Sequence, residues 1–145
     1  MNARERFYSC LNYQGYDRPP TKHYGTPEIN QELMDYFGVK TLDEMLEILG
    51  DDFRHIMPRY VGPELKTFPD GSFEGLWGER YLNYSFGKGT YKEAVYLPYQ
   101  NLHDPAELKN FRMPSPDWYD YSGIKADCEK YRDYVICMGN PGMPD

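Results

Sequence analysis

The sequence predicts an α/β fold with parallel strands, and three observations support this prediction. Helical patterns alternate with short apolar strands, a capped helix leads directly into the strand after Gly50, and one antiparallel hairpin interrupts the alternation. Parallel strands need long crossover connections, which the helices between these strands can supply. With 145 residues, of which 40% are hydrophobic and 27% charged, residues 1–145 are expected to form a single domain with a core.

Three helices are predicted in the first fifty residues, because each helical pattern follows a polar residue that can cap the first turn. A glycine follows the second and the third helix, where a left-handed residue ends a helix at low cost. The first helix runs from Ala3 to about Leu11, the second starts at Thr26 and Pro27 and ends at Gly38, and the third starts at the capping box of Thr41 and Glu44 and stops at Gly50.

The segment from Phe53 to Tyr60 is predicted as the strand beside which the other elements lie. It is too short for a helix before Pro58, so a strand of about 5–6 residues fits it best. Thr21 to Gly25 is predicted as the preceding strand and Tyr134 to Met138 as the last one. Ligands gather beyond the carboxyl ends of strands in α/β proteins, so the end near Arg59 is predicted as the rim of a site.

Turns and alternating residues dominate the region after Pro63. Two strands, Tyr81 to Phe86 and Thr90 to Leu97, flank a glycine-rich loop and are predicted to form an antiparallel hairpin. A short helix is predicted from Asp104 and Pro105, and a longer one from Ser115 and Pro116 to about Arg132.

Composition excludes several classes of partner. The net charge is -7 without any basic run, which argues against nucleic acid as the main partner. No apolar stretch has the length of a signal peptide core or of a membrane span, so a cytoplasmic protein is expected. The three cysteines, Cys10, Cys128 and Cys137, are far apart and lack metal-site spacing, so we expect no disulfide framework and no metal held by them.

Four segments, in this order, resemble the uroporphyrinogen decarboxylase superfamily, which also contains corrinoid-dependent methyltransferases. They are NARERFYSCLNYQGYDRPP, GDDFRHIMPRYVGP, the pair Asp70-Gly71 with Trp77-Gly78, and PSPDWYDYSGIKADCEKYRDYVICMGNPG. The resemblance spans essentially the whole chain and implies the N-terminal part of a (β/α)8 TIM barrel. It implies about three barrel strands, at Thr21 to Gly25, Phe53 to Arg59 and Tyr134 to Met138, with the antiparallel hairpin inserted between the second and the third.

The chain departs from the true decarboxylases of this superfamily at two places. The region from Lys22 to Thr26 has no Arg, where those enzymes carry an Arg-rich stretch of the form MRQAGR for the substrate carboxylates. Their Asp at the end of the second strand has no counterpart either, because Pro58 and Arg59 stand there. The resemblance therefore favours the methyltransferase-like branch, which implies corrinoid and a zinc thiolate site in the full-length family. The zinc ligands of that family lie in the later part of the barrel, which this sequence does not include.

Four residues are predicted to bind substrate at the mouth of the barrel: His23, Tyr24, Arg59 and Asn140. Three of them have an ordinary structural alternative. His23 can serve as a hydrogen-bonded residue beside the helix start, Arg59 can pair with a nearby carboxylate, and Asn140 fits normal turn chemistry. Arg54 and His55 are predicted to be structural or solvent-facing, and the sequence identifies no catalytic residue.

Three functions remain open from the sequence. The first is the N-terminal part of an enzyme that moves a methyl group between a corrinoid, free or protein-bound, and a small acceptor. The second is a decarboxylase of an acidic, tetrapyrrole-like substrate. The third is a non-catalytic fragment that binds a partner chain. Three strands of a barrel leave two open edges, so the isolated chain is expected to be inactive and to associate with itself or with another polypeptide.

Overall fold

The computed structural model describes residues 1–139, which fall into two compact units. The first unit contains Met1–Arg59 and the chain from Tyr121 onward, and the second contains Tyr60–Asp120. The single domain expected from the sequence stays a prediction. In chain order, the elements are helices α1 (Ala3–Leu11), α2 (Pro27–Phe37) and α3 (Leu42–Ile48), strands β1 (Phe53–Ile56), β2 (Arg59–Tyr60), β3 (Phe73–Glu74), β4 (Arg80–Phe86) and β5 (Gly89–Tyr96), the 3-10 helices Pro105–Asn110 and Pro116–Trp118, strand β6 (Tyr119–Asp120), helix α4 (Ile124–Lys130) and strand β7 (Val135–Met138).

The three helices predicted in the first unit are confirmed, together with their caps. Asn2 and Glu5 form a reciprocal capping box at α1, and Thr41 and Glu44 form another at α3. Gly38 ends α2 with a φ of 68°, a left-handed angle that glycine adopts without a steric penalty. No helix within residues 1–139 combines the length and the apolar character of a membrane span.

Strands β1 and β7 form a two-stranded parallel sheet, which confirms that the predicted second and third strands are parallel neighbours. The register runs from Phe53 beside Val135 to Ile56 beside Met138. Helix α4 precedes β7 and packs against β1, so it forms the last part of the crossover connection. Mixed helices and strands of this kind define an α/β class.

The strand predicted from Thr21 to Gly25 is absent, so this prediction was wrong. The backbone N–H groups of Thr21 and His23 donate to the carboxylates of Asp52 and Asp51. One backbone bond links this segment to the start of the sheet, from the Asp52 N–H to the Thr21 carbonyl at 2.9 Å. The two carboxylates accept the N–H groups that a strand would donate to a neighbouring strand. The segment therefore remains irregular.

The prediction of one long helix from Pro116 to about Arg132 was also wrong. The 3-10 helix Pro116–Trp118 stops after one turn, and the chain becomes extended in β6. The Trp118 carbonyl accepts the Val61 N–H at 2.8 Å, which is a pairing bond that replaces the helical one. Helix α4 then starts after Gly123 and contains only seven residues.

The second unit contains the predicted antiparallel hairpin. Strands β4 and β5 pair from Phe86 beside Gly89 to Arg80 beside Tyr96, and β3 extends the sheet on the other side of β4. The predicted turn at Asp70 and Gly71 is present, and the short helix from Pro105 is a 3-10 helix. β2 and β6 form a separate two-stranded sheet.

Charged side chains outnumber apolar ones among the buried residues of the described chain. Met45 and Ile56 are the buried hydrophobic residues, whereas Arg6, Asp51, Asp52, Arg54 and Ser72 are buried polar ones. Protein interiors normally bury apolar side chains and keep charges outside unless the charges are paired. The hydrogen bonds and ion pairs of these buried charges therefore determine the chemistry of each end of the β1–β7 sheet.

Candidate functional site

The β1–β7 sheet has two chemically different ends. Because the strands are parallel, both of them start at one end and finish at the other. Charged residues of the N-terminal segment surround the start of β1, while His55 and Gly139 meet at the carboxyl end. We call these the amino end and the carboxyl end of the sheet.

Four charged side chains, Arg6, Asp17, Arg18 and Asp52, form one ionic cluster at the amino end. Arg6 makes two parallel hydrogen bonds to the Asp17 carboxylate, at 2.7 Å from Nε and 2.9 Å from Nη2. Its remaining Nη1 contacts Asp52, which also accepts from Arg18 Nη1 at 2.7 Å. The cluster therefore connects α1 and the loop after it to the start of β1.

The carboxylates of this cluster are held in the charged form. Burial alone raises the pKa of Asp52, but hydrogen bonds from Arg18, from the Thr21 N–H and from Arg6 outweigh burial, so the pKa lies below its ordinary value. The hydrogen bond from Arg6 is the largest of the effects that hold the pKa of Asp17 well below its usual range. Because both groups stay ionised at neutral pH, they are unsuited to general acid catalysis.

A cleft of about 390 Å³ opens beside the cluster, lined by Arg6, Arg18, Glu47, Asp51 and Asp52 among others. Arg6 and Arg18 both donate to Asp52, and Asp51 accepts the N–H groups of His23 and Phe53. Charges that are already paired with one another offer little to a ligand. We therefore assign the amino end a structural role.

Arg54 lies on the buried face of β1 and is also structural. Its guanidinium covers the Tyr134 ring, with 3.9 Å from Cζ to the ring centroid, and its Nη1 donates to the Phe53 carbonyl at 2.8 Å. Two carboxylates are near, with Asp43 Oδ1 at 3.6 Å from Nε and Asp51 Oδ1 at 3.8 Å from Nη1. Nε and Nη2 have no hydrogen-bond partner among the described residues. The ring and the carboxylates balance the buried charge.

His55 presents a free acceptor at the carboxyl end. Its Nδ1 lies 3.1 Å from the Gly139 carbonyl oxygen. Since a carbonyl only accepts, this contact assigns Nδ1 as the donor, and in the neutral ring Nε2 then carries a lone pair. Nε2 is buried without a partner in residues 1–139, and Cys137 is the register neighbour of His55. Such a nitrogen can accept a hydrogen bond, take up a proton or bind a metal ion.

The predicted site residues do not all lie at the same end. The His23 Nε2 contacts Asn30 Oδ1 at 2.8 Å and its N–H binds the Asp51 carboxylate, so His23 lies at the amino end. Tyr24 is 71% exposed, next to it in sequence. Arg59 is exposed and follows β1, so it lies towards the carboxyl end. Asn140 lies outside the described residues.

Sequence reasoning missed the ionic cluster, although its parts were visible. Arg6, Asp17 and Arg18 stand in the opening segment and Asp52 in the second segment of the resemblance, but nothing in their spacing shows that they meet. His55, with its unpartnered Nε2, was missed as a candidate residue for a different reason. The alternation of side chains along β1 places it on the less buried face with Phe53, and this signal was available from the sequence.

Comparisons of this chain with protein-family models, with curated proteins and with solved structures found no match. Within residues 1–139, no three His, Cys, Asp or Glu side chains are grouped closely enough to hold a metal ion. The structure itself defines a mixed α/β chain with one parallel strand pair, β1 and β7, and an antiparallel sheet between these two strands in sequence.

Proposed function

We propose that this chain is the N-terminal part of a uroporphyrinogen decarboxylase-like TIM barrel of the corrinoid-dependent methyltransferase branch. One observation carries the proposal: β1 and β7 are direct parallel neighbours although the second unit lies between them in sequence. Consecutive strands of a (β/α)8 barrel pair in this way, and inserted segments leave the pairing intact.

The ionic cluster supports the same proposal. Arg6, Asp17 and Arg18 come from the first segment of the resemblance and Asp52 comes from the second. Tyr134, which packs on Arg54, comes from the last segment. Segments that resemble one family thus meet around one strand.

In this proposal, the substrate site lies at the carboxyl end of the sheet. The Arg59 guanidinium, exposed beyond the end of β1, binds an anionic group of the substrate. Zinc and corrinoid are implied by the resemblance, which places the zinc ligands in the later part of the barrel. The part of the described residues at this end of the sheet is to bind and orient the methyl acceptor.

The test is methyl transfer from methylcobalamin to a small thiol, followed by the change in cobalamin absorbance. The 145-residue chain alone should show no turnover, whereas adding the remaining strands of a full-length family member as a second polypeptide should produce it. Arg59→Ala should lower kcat/KM about tenfold, which corresponds to ~1.4 kcal/mol, without changing the circular dichroism spectrum. Lys125→Ala, at an exposed position of α4, is the matched control.

Turnover by the chain alone would contradict the incomplete barrel, and an unchanged kcat/KM in Arg59→Ala would return Arg59 to a structural role. Release of carbon dioxide from a tetrapyrrole carboxylate in the same mixture would favour the decarboxylase alternative. A complex that forms without either reaction would favour the third candidate, a non-catalytic fragment that binds a partner chain.

A further inference from the structure

The two outer edges of the β1–β7 sheet differ. On β1, the Phe53 N–H donates to Asp51 Oδ1 at 2.6 Å, and the Phe53 carbonyl accepts from Arg54 Nη1 at 2.8 Å. Side chains of the chain itself thus satisfy the backbone groups that another strand would need. The β1 edge is closed at its amino half.

The outer edge of β7 has no such closure. Val135 and Gly139 donate their N–H groups to β1, at 2.9 Å to the Asp52 carbonyl and 3.1 Å to the Ile56 carbonyl. Because backbone groups alternate between the two edges of a strand, the N–H and C=O groups of Ile136 and Met138 point away from β1. Within residues 1–139, no strand pairs with that edge.

The side chains of β7 also offer no protection against pairing. Its four residues, VICM, carry no charge, and Met138 is 63% exposed. By contrast, the outer strand β5 carries Lys92 and Glu93 and lies opposite a register shift at Arg80 and Tyr81. Charges and bulges are the devices that prevent edge-to-edge pairing, and β7 has neither of them.

We propose that β7 is a docking edge for a second copy of this chain. Two β7 strands related by a two-fold axis pair antiparallel and join the two sheets into one four-stranded sheet of order β1-β7-β7-β1. An uncharged strand meets its own copy without like-charge repulsion. A two-stranded sheet is marginal by itself, so the larger sheet stabilises both copies. This dimer goes beyond the proposed function and belongs to the 145-residue chain by itself, because in a complete barrel the next strand would occupy the same edge of β7.

Sedimentation velocity of the 145-residue chain over a range of micromolar concentrations tests the dimer. Met138→Pro removes one outward N–H without touching a bond to β1, and Met138→Lys adds a charge to the edge. Both substitutions should weaken dimerisation about tenfold or more, or ~1.4 kcal/mol. Met138→Leu keeps the N–H and the apolar side chain, so it should leave the dissociation constant unchanged. Circular dichroism checks that each variant is folded.

Hydrogen exchange identifies the surface. The Ile136 and Met138 amides should be protected only in the dimer, whereas the Val135 amide should be protected at every concentration. A monomer throughout the range, an equal dissociation constant for folded Met138→Lys, or protection that appears along β5 instead would overturn the proposal. Edge protection that appears only with a second, different polypeptide would overturn it too and would assign the edge to that partner.

Discussion

At the scale of single residues, Asp52 determines how the first unit is held together. Its side chain is 1% exposed and accepts hydrogen bonds from Arg6, Arg18 and the Thr21 N–H. A buried carboxylate without partners is very costly, while one with several donors is well tolerated. Asp52 therefore joins the opening segment to the sheet more specifically than an apolar contact would.

Asp52→Asn should lower the free energy of unfolding by about 3–5 kcal/mol, because it removes the charge between two partly buried guanidinium groups. Urea denaturation at neutral pH measures the loss. Asp35→Asn is a matched control at an exposed position of α2, where the Asp35 carboxylate accepts a hydrogen bond from Gln31 Nε2 at 2.8 Å, and it should cost less than about 0.5 kcal/mol. Equal stability of the two variants would show that the cluster contributes nothing.

The same carboxylates predict how stability depends on pH. The pKa values of Asp17 and Asp52 are lower in the folded chain than in the unfolded one. Their contribution is therefore complete above the unfolded value of about 3.9 and is lost as the pH falls through the lower folded values. Urea denaturation should give a constant free energy of unfolding from about pH 7 to pH 5 and a fall below about pH 4. No change between about pH 5 and pH 3 would contradict this assignment.

At the scale of elements, the capping motifs determine where the helices begin. The capping box of α3 is complete, since the Glu44 N–H donates to Thr41 Oγ1 at 3.2 Å and the Thr41 N–H donates to Glu44 Oε2 at 2.9 Å. Hydrogen bonds from Thr41 and from the Lys40 and Thr41 N–H groups lower the pKa of Glu44. These bonds need only residues within four positions, so the sequence alone predicts them.

Thr41→Ala should destabilise the chain by about 1 kcal/mol, because the first turn of α3 loses the acceptor for a backbone N–H. Thr41→Ser keeps a hydroxyl at the same position and should remain within a few tenths of a kcal/mol of the parent, and thermal denaturation can distinguish them. If both variants lost the same stability, the Thr41 methyl group rather than its hydroxyl would be the important feature.

At the scale of the whole molecule, the described residues combine two compact units with a small apolar interior. The cysteines at positions 10, 128 and 137 are free thiols in the structure. Their spacing predicts no metal, yet the register places Cys137 beside His55, a pair that the sequence had not brought together.

We predict that purified chain contains no stoichiometric metal bound by its own cysteines, because zinc sites need four ligands and usually close spacing between some of them. Elemental analysis of the purified protein measures the metal content. Zinc at one equivalent that disappears in Cys128→Ser or Cys137→Ser would refute the prediction, and zinc that persists in both variants would assign it to other ligands.

Local signals in the sequence determined the three N-terminal helices, the hairpin and the two sheet strands, because caps, glycines and alternation act within a few residues. The tertiary structure alone decided the register that sets Phe53 beside Val135, the meeting of Arg6, Asp17, Arg18 and Asp52 in one cluster, and the lack of a strand at residues 21–25. These outcomes depend on groups far apart in sequence. Several donors far away in sequence could pair with each carboxylate. Only the packing of the chain determined which donor lies within hydrogen-bond distance.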